Sequence, residues 1–151
     1  MVRLLFVCLG NICRSPLAEG IARHLAAQYG YDIDVDSAGT SGWHEGEPPC
    51  PNSVKVARLH GIDIASLRAR RVRHEDKRNF THIIALDRNN KADLEAMGFE
   101  KVLLLGDFGG FDGESVPDPY YFQGFEGFEK VYAMIEKAVK DLLQKVAHES
   151  D

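Results

Sequence analysis

Short apolar runs that alternate with helical patterns constrain the fold of this 151-residue chain more than any other feature. The pattern predicts strands at 2–7, 33–38, 81–86 and 101–105. It predicts helices at 16–29, 52–60, 88–97 and 125–146, and leaves 62–80 unassigned apart from a short helix near Glu75. Such alternation is typical of an α/β protein whose parallel sheet is covered on both faces and whose crossovers are right-handed.

Length and composition limit the classes of protein to consider. The length fits one domain spanning 1–151, and a hydrophobic content of 44% supports a buried core. A net charge of −5 argues against a general nucleic-acid binder. No apolar run is long enough to span a bilayer, and the N-terminus does not fit a signal peptide, so we expect a cytoplasmic protein without membrane contact. Non-classical release stays open.

The segment CLGNICRS, residues 8–15, lies between the first strand and its helix, and it is called the phosphate loop below. In α/β folds, ligands bind at the carboxyl ends of the strands. Backbone N–H groups and a helix N-terminus there favour a phosphate-like dianion. Gly10 permits close backbone approach, and Asn11 tolerates a positive φ. The guanidinium of Arg14 can bind two phosphate oxygens at once.

The same loop predicts a nucleophile. A helix N-terminus and a nearby arginine favour the thiolate of Cys8, the form that attacks phosphorus. The Ser15 hydroxyl can donate to that sulfur or help it leave, and Ser15 followed by Pro16 also matches a helix N-cap. The alternative is a small buried cysteine at a strand end, with Arg14 in a surface salt bridge.

Three segments, CLGNICRSP, DSAGT and VPDPYY, resemble those of the low-molecular-weight protein tyrosine phosphatases, and the resemblance extends over the whole chain. It implies a doubly wound four-stranded parallel sheet. It also implies that Cys8 is the nucleophile, Arg14 the transition-state arginine and Ser15 the assisting hydroxyl. The other loop residues would bind the phosphate, and these are Leu9, Gly10, Asn11, Ile12 and Cys13. Ser37 would support Asn11.

The late loop supplies a candidate general acid. Asp118 lies between two prolines that stiffen the backbone, and a neighbouring dianion and thiolate favour its protonated form. Taken alone, an ordinary solvated turn is the simpler interpretation, and the resemblance favours the acid. Trp43, Tyr120 and Tyr121 could form the walls of a slot for a phenyl ring, or they could pack the loops onto the core.

Several further residues keep two interpretations. The resemblance implies a reversible disulfide between Cys13 and Cys8, while Cys13 could also be a small residue facing the helix. Cys50 lies outside the motif and is expected to have no role. Asp87 matches a helix N-cap, with a link to the active site as the weaker alternative. A basic cluster is most simply a solvated face, and it could also steer acidic phosphopeptides; it comprises Arg68, Arg70, Arg71, Arg73 and His74.

The sequence therefore predicts hydrolysis of phosphotyrosine in protein substrates through a cysteinyl-phosphate intermediate. The six histidines show no ligand spacing, so we expect neither metal nor cofactor. Oligomeric state is not readable, and a monomer is the simplest expectation. Similar arsenate reductases relay electrons through late cysteines, which this chain lacks beyond residue 50. Similar arginine phosphatases carry threonine in place of Ile12 and lack the tyrosine pair. A non-catalytic phosphate carrier would not need both Arg14 and Asp118.

Overall fold

The computed structural model describes residues 1–119, 122 and 124–149. Its strands are β1 (Val2–Cys8), β2 (Ile33–Gly39), β3 (His82–Ala85) and β4 (Leu103–Leu104). Its helices are α1 (Arg14–Tyr29), α2 (Pro51–Leu59), α3 (Asp76–Asn79), α4 (Arg88–Ala96) and α5 (Glu126–Glu149). A short 3₁₀ turn at Leu105–Asp107 follows β4.

The four strands form one parallel sheet in the order β2-β1-β3-β4, which confirms the predicted fold class. β1 pairs with β2 from Val2↔Ile33 to Cys8↔Gly39, and its other edge pairs with β3. The chain leaves the central strand β1 to one side and later returns to the other. This reversal opens a crevice at the carboxyl ends of β1 and β3, where α/β folds bind their ligands.

Alternate residues of β1 contribute to two cores on opposite faces of the sheet. Leu4 and Phe6 pack into the larger core with α1, α2 and α5. Leu5 and Val7 pack into the smaller core with Leu94 of α4. The apolar stripe predicted on α5 is confirmed, because all eight of its residues are buried: Phe128, Val131, Tyr132, Ile135, Val139, Leu142, Leu143 and Val146.

The start of α1 differs from the prediction. The helix begins at Arg14, and its N-cap is Cys13, whose side chain makes no capping hydrogen bond. The prediction that Ser15 caps the helix is wrong, because its hydroxyl contacts the Cys8 sulfur and the Asn11 amide instead. Pro16 still fits the first turn, where no N–H is needed. The helix ends at Gly30 with φ of 72°, as predicted.

The unassigned segment contributes to the site. Residues 69–72 run beside the end of β2, where Gly39 N donates to Arg70 O at 2.8 Å and Val72 N donates to Gly39 O at 2.8 Å. A side chain at Gly39 would place its Cβ 2.8 Å from the Leu9 carbonyl oxygen. The end of β2 is therefore pressed between this segment and the phosphate loop.

Candidate active site

The phosphate loop carries several backbone N–H groups that have no protein partner among the described residues. Asn11 has φ of 57°, so the left-handed conformation that its residue type tolerates is present. Gly10 allows the His44 ring to lie close to the loop backbone, since a Cβ at this position would be 3.0 Å from that ring. Within the described part of the chain, the N–H groups of Gly10, Ile12 and Cys13 donate to no protein group. Together with the start of α1, they form an anion site.

Cys8 lies at the bottom of this loop and is 3% exposed. Its sulfur is 3.0 Å from Ser15 Oγ and accepts the Asn11 backbone N–H at 3.2 Å. Cys8 is a free thiol, held at the end of the central strand by the pairing of β1 with β2. The nucleophile is thereby fixed in position beneath the anion site.

The direction of the hydrogen bond between Ser15 and Cys8 follows from the Asn11 amide. Asn11 Oδ1 accepts the Arg70 backbone N–H at 3.0 Å, and a backbone N–H can only donate. Asn11 Nδ2 then donates to Ser15 Oγ at 2.7 Å and to Ser37 Oγ at 2.9 Å. Because Ser15 Oγ accepts from the amide, its own proton stays available, and a Cys8 thiolate, which has no proton to give, accepts it. That donation stabilises a thiolate.

A buried carboxylate orients the far end of this network. Ser37 Oγ donates to Glu19 Oε1 at 2.6 Å, which leaves the Ser37 oxygen to accept from Asn11. Glu19 is 4% exposed, and its other oxygen accepts from Arg23 at 2.7 Å. The structure thus places Ser37 against Asn11, where the resemblance implied it would lie. The sequence did not single out Glu19, because nothing local distinguishes a buried glutamate on α1 from a surface one.

The Arg14 guanidinium is aimed by two acceptors from the neighbouring β3 side of the crevice. Its Nη1 donates to Asp87 Oδ2 at 2.7 Å and to the Val116 carbonyl at 2.9 Å. Nε and Nη2 donate to no group in the described residues, so they are available to an anion. Asp87 Oδ1 also accepts from Asn90 N at 2.6 Å and caps α4. Both interpretations of Asp87 therefore hold, and the surface salt bridge considered for Arg14 is instead a largely buried pair at the site, in which Arg14 is 8% exposed.

A pocket of about 250 Å³ opens above the nucleophile. Besides phosphate-loop residues, it is lined by Trp43, His44 and Asp118. Trp43 is 76% exposed, so it forms an outer wall and does not pack into the core. Tyr120 and Tyr121 lie outside the described residues. His44, which the sequence analysis did not single out, is oriented by Glu47 at 2.6 Å.

The structure pairs two cysteines that the sequence did not link. Cys13 is bonded to Cys50, with a Cα–Cα separation of 5.2 Å, and Cys8 is a thiol in this state, so the reversible disulfide between Cys13 and Cys8 stays a prediction. The prediction that Cys50 has no role is wrong, because its disulfide and its N–H bond to the Ile12 carbonyl at 2.7 Å tie α2 to the phosphate loop. The 37-residue separation of these cysteines gave no sequence signal for the pairing.

The basic cluster divides into two parts. Arg68, Arg71, Arg73 and His74 are exposed, as a solvated face predicts. Arg70 is half-buried and pairs with Asp36 at 3.1 Å and Asp76 at 3.0 Å. Burial alone lowers the pKa of Arg70, but the bonds and charges of these two carboxylates outweigh it and raise that pKa. The pairing fixes the backbone whose N–H orients Asn11.

Comparison with known proteins agrees with this geometry. The family model for low molecular weight phosphotyrosine protein phosphatase matches residues 3–151. The chain belongs to this family. The low molecular weight protein-tyrosine-phosphatase YfkJ of Bacillus subtilis is 42% identical, over 99% of this chain and 98% of that protein. The crystal structure of YfkJ gives a TM-score of 0.90 at 41% identity, covering 100% of this chain and 98% of that one.

Two further solved structures show how widely this phosphatase fold is shared. A protein tyrosine phosphatase from Entamoeba histolytica gives a TM-score of 0.91 at 34% identity, with both chains covered completely. The Drosophila arginine phosphatase DARP gives 0.87 at 34% identity, covering 95% of this chain and 96% of that one. The fold alone therefore does not select the phosphorylated amino acid.

Membrane-spanning helices and metal-binding clusters are both absent from the described residues. No helix there has the length and apolarity to cross a bilayer. No group of three or more histidine, cysteine or acidic residues there has the geometry of a metal site.

Proposed function

We propose that this protein tyrosine phosphatase hydrolyses phosphotyrosine in protein substrates, with Cys8 as nucleophile, Arg14 as phosphate clamp and Asp118 as general acid and base. The observation that carries the proposal is a set of donors without protein partners beside the nucleophile. Three loop N–H groups and two Arg14 nitrogens donate to no described protein group, and their residues line one pocket with Cys8, whose sulfur contacts Ser15 Oγ and the Asn11 N–H. Such preorganised donors stabilise the charge that spreads over the transferring phosphoryl oxygens.

The reaction proceeds in two displacements. The Cys8 sulfur attacks phosphorus in line, the bond to the tyrosine oxygen breaks, and Asp118 gives that oxygen its proton. A cysteinyl phosphate and an ionised Asp118 remain. Asp118 then takes a proton from the water that attacks phosphorus, and the sulfur leaves as a thiolate. Ser15, whose proton points at the sulfur, stabilises that leaving thiolate.

The depth of the nucleophile supports phosphotyrosine as substrate. Cys8 is almost fully buried, and the exposed Trp43 extends the pocket wall outward from it. A phosphate must therefore be presented on a long, flat side chain, and a phosphoserine side chain is too short. The Trp43 indole offers a face on which a phenyl ring can stack. Tyr120 and Tyr121 complete this slot in our proposal.

A substrate trap tests the nucleophile. Cys8→Ser should abolish turnover of phosphotyrosine peptides while the loop donors still bind phosphate. Turnover and phosphate binding are measured on the same preparation in dithiothreitol, where Cys50→Ser controls for the loss of a cysteine outside the reacting centre. Residual turnover in Cys8→Ser at a substantial fraction of the wild-type rate would refute the assignment.

The general acid is tested by changing the leaving group. Asp118→Asn should slow phenyl phosphate hydrolysis about 10²- to 10⁴-fold, the usual contribution of general acid catalysis. The loss should be much smaller with p-nitrophenyl phosphate, whose leaving group needs no proton. Equal losses on the two substrates would assign Asp118 a structural role.

Competition among phosphorylated peptides tests the substrate class. We expect phosphate release from phosphotyrosine peptides to exceed release from matched phosphoserine and phosphoarginine peptides, in the presence of EDTA. Faster release from phosphoarginine peptides would refute this substrate class and would indicate an arginine phosphatase, the activity for which the Drosophila protein DARP is named. We further propose that the protein acts as a monomer in the cytoplasm.

A further inference from the structure

The Cys13–Cys50 disulfide lies against the catalytic loop. Cys13 immediately precedes Arg14 and lines the same pocket as Cys8, and Cys50 caps the start of α2. Two hydrogen bonds hold the partners together independently of the disulfide: Cys50 N donates to Ile12 O at 2.7 Å, and Ser53 Oγ donates to Cys13 O at 3.1 Å. Once reduced, the two thiols therefore stay adjacent and can re-form the bond.

This bond is not needed to assemble the fold. Both faces of the sheet are covered by extensive apolar cores; the two cysteines are a small part of the larger core and are absent from the smaller one. A domain of this size buries enough apolar surface to be stable without disulfides. The position of the disulfide beside the nucleophile, rather than its contribution to stability, is the feature that needs explaining.

The third cysteine, the nucleophile, is spared. The chain has three cysteines, so pairing Cys13 with Cys50 leaves Cys8 as a thiol. In this state Cys8 keeps its contacts with Ser15 Oγ and the Asn11 N–H, and the anion site above it stays open. The two-electron-oxidised form of the protein therefore has an intact catalytic centre.

We propose that Cys50 moves oxidation away from the nucleophile, so that the first oxidising equivalent leaves the enzyme active. A peroxide entering the pocket oxidises the Cys8 thiolate to a sulfenic acid, and one peroxide oxygen leaves as hydroxide. Cys13 attacks that sulfur and expels the second oxygen as water, which forms a Cys8–Cys13 bond. The Cys50 thiolate attacks Cys13 and releases the Cys8 thiolate. The two electrons come finally from Cys13 and Cys50.

Cys13 and Cys50 can protect Cys8 from only one equivalent of peroxide. After one equivalent, Cys13 is committed to Cys50, and Cys8 has no remaining thiol in the chain to resolve a second sulfenic acid. A second equivalent then leaves Cys8 as a sulfenic acid, and a third oxidises it to a sulfinic acid, which dithiols do not reduce. A dithiol reductant reopens Cys13–Cys50, takes up its own disulfide and restores the capacity. This inference rests on the proposed role of Cys8, and disulfide mapping tests it separately from activity.

A stoichiometric titration tests the proposal. The fully reduced protein, freed of reductant, receives hydrogen peroxide from below one to three molar equivalents, and phosphatase activity is followed to completion. The wild type should keep its activity through the first equivalent and lose it during the second, when Cys8 becomes a sulfenic acid. During the third equivalent, which makes the sulfinic acid, the lost activity should stop returning with dithiothreitol. Cys50→Ser should lose activity in proportion to the first equivalent and recover it with dithiothreitol. Cys50→Ala serves as an independent variant should serine perturb α2.

Peptide mapping gives a readout that does not require activity. Trypsin places Cys8 and Cys13 together on 4–14 and Cys50 on 24–55. After one equivalent, the wild type should show these two peptides joined, while Cys50→Ser should show a bond internal to 4–14. Loss of wild-type activity in proportion to the first equivalent, or joined peptides without retained activity, would overturn the proposal. Absence of activity before peroxide would instead refute the assigned function.

Discussion

The Asp87 carboxylate both orients the Arg14 guanidinium and caps α4, and its replacement by asparagine removes one of these two interactions. Oδ2 accepts from Arg14 Nη1 at 2.7 Å, and Oδ1 accepts from Asn90 N at 2.6 Å. An asparagine has one acceptor oxygen and an NH₂ group that cannot accept. In Asp87→Asn one of the two donors must therefore face an NH₂ group. Either the cap of α4 or the aim of the guanidinium is lost.

The expected loss follows from the burial of this pair. The side chains of Arg14 and Asp87 are 10% and 17% exposed, so solvent screens the interaction only partly. Hydrogen bonds to charged groups contribute about 1.5–3 kcal/mol each. If all of this free energy serves to position Arg14 in the transition state, its loss lowers kcat/KM by about 10- to 100-fold. The Val116 carbonyl still holds Nη1, so the guanidinium stays in the site, and the lower half of this range is expected.

The assay compares kcat/KM for p-nitrophenyl phosphate and a phosphotyrosine peptide, together with inhibition by vanadate. Both substrates should lose activity equally, because Arg14 contacts the phosphoryl group common to them, and vanadate should bind more weakly. Asp93→Asn is the matched control, since it removes a carboxylate from an exposed position on the same helix. Activity of Asp87→Asn within twofold of wild type, or an equal loss in Asp93→Asn, would show that Asp87 does not aim the clamp.

Three further changes extend these tests. Gly39→Ala places a Cβ 2.8 Å from the Leu9 carbonyl oxygen and should displace the phosphate loop, lowering kcat/KM about 10²-fold while circular dichroism shows a retained fold. Ser37→Ala leaves a buried amide and a buried carboxylate short of a partner and should lower the free energy of unfolding by about 1–3 kcal/mol, with a fall in kcat that threonine partly restores. The N–H of Gly109 lowers the pKa of Asp141, so this carboxylate stabilises the fold above its unfolded pKa and ceases to do so as pH falls through its folded pKa. Asp141→Ala should therefore lower the free energy of unfolding, measured with urea at neutral pH, by about 1 kcal/mol. An equally large difference between the variant and the wild type at acidic pH would contradict this.

Local signals in the sequence were sufficient for much of the fold and for the phosphate loop. The periodicities located the four strands and the buried stripe of α5, and the composition of 8–15 indicated a turn that binds anions. Asn11 has the positive φ that its residue type allows, and Asp87 caps α4 as its position suggested. Each of these features depends on residues close together in the chain.

The unpredicted features depend on contacts between distant segments. Ser15 does not cap α1 because its hydroxyl makes the contact with Cys8 that the loop sequence also predicted, and because Asn11 Nδ2, held in place by the distant Arg70 N–H, donates to it. The bond from Arg70 N to Asn11 Oδ1 spans 59 residues, and the Cys13–Cys50 pairing spans 37. No local pattern specifies such contacts, since they exist only after the sheet has set the distance between the loops.

These distant partners also determine when the chain acquires a complete active site. The loop that carries Cys8 is among the first parts synthesised, but the groups that orient Asn11 and Arg14 come from residue 70, residue 87 and residue 116. A polypeptide that stops short of them has the cysteine and its loop donors, but not the contacts that hold Asn11 and Arg14 in position. A fully arranged site therefore requires a chain folded through residue 116.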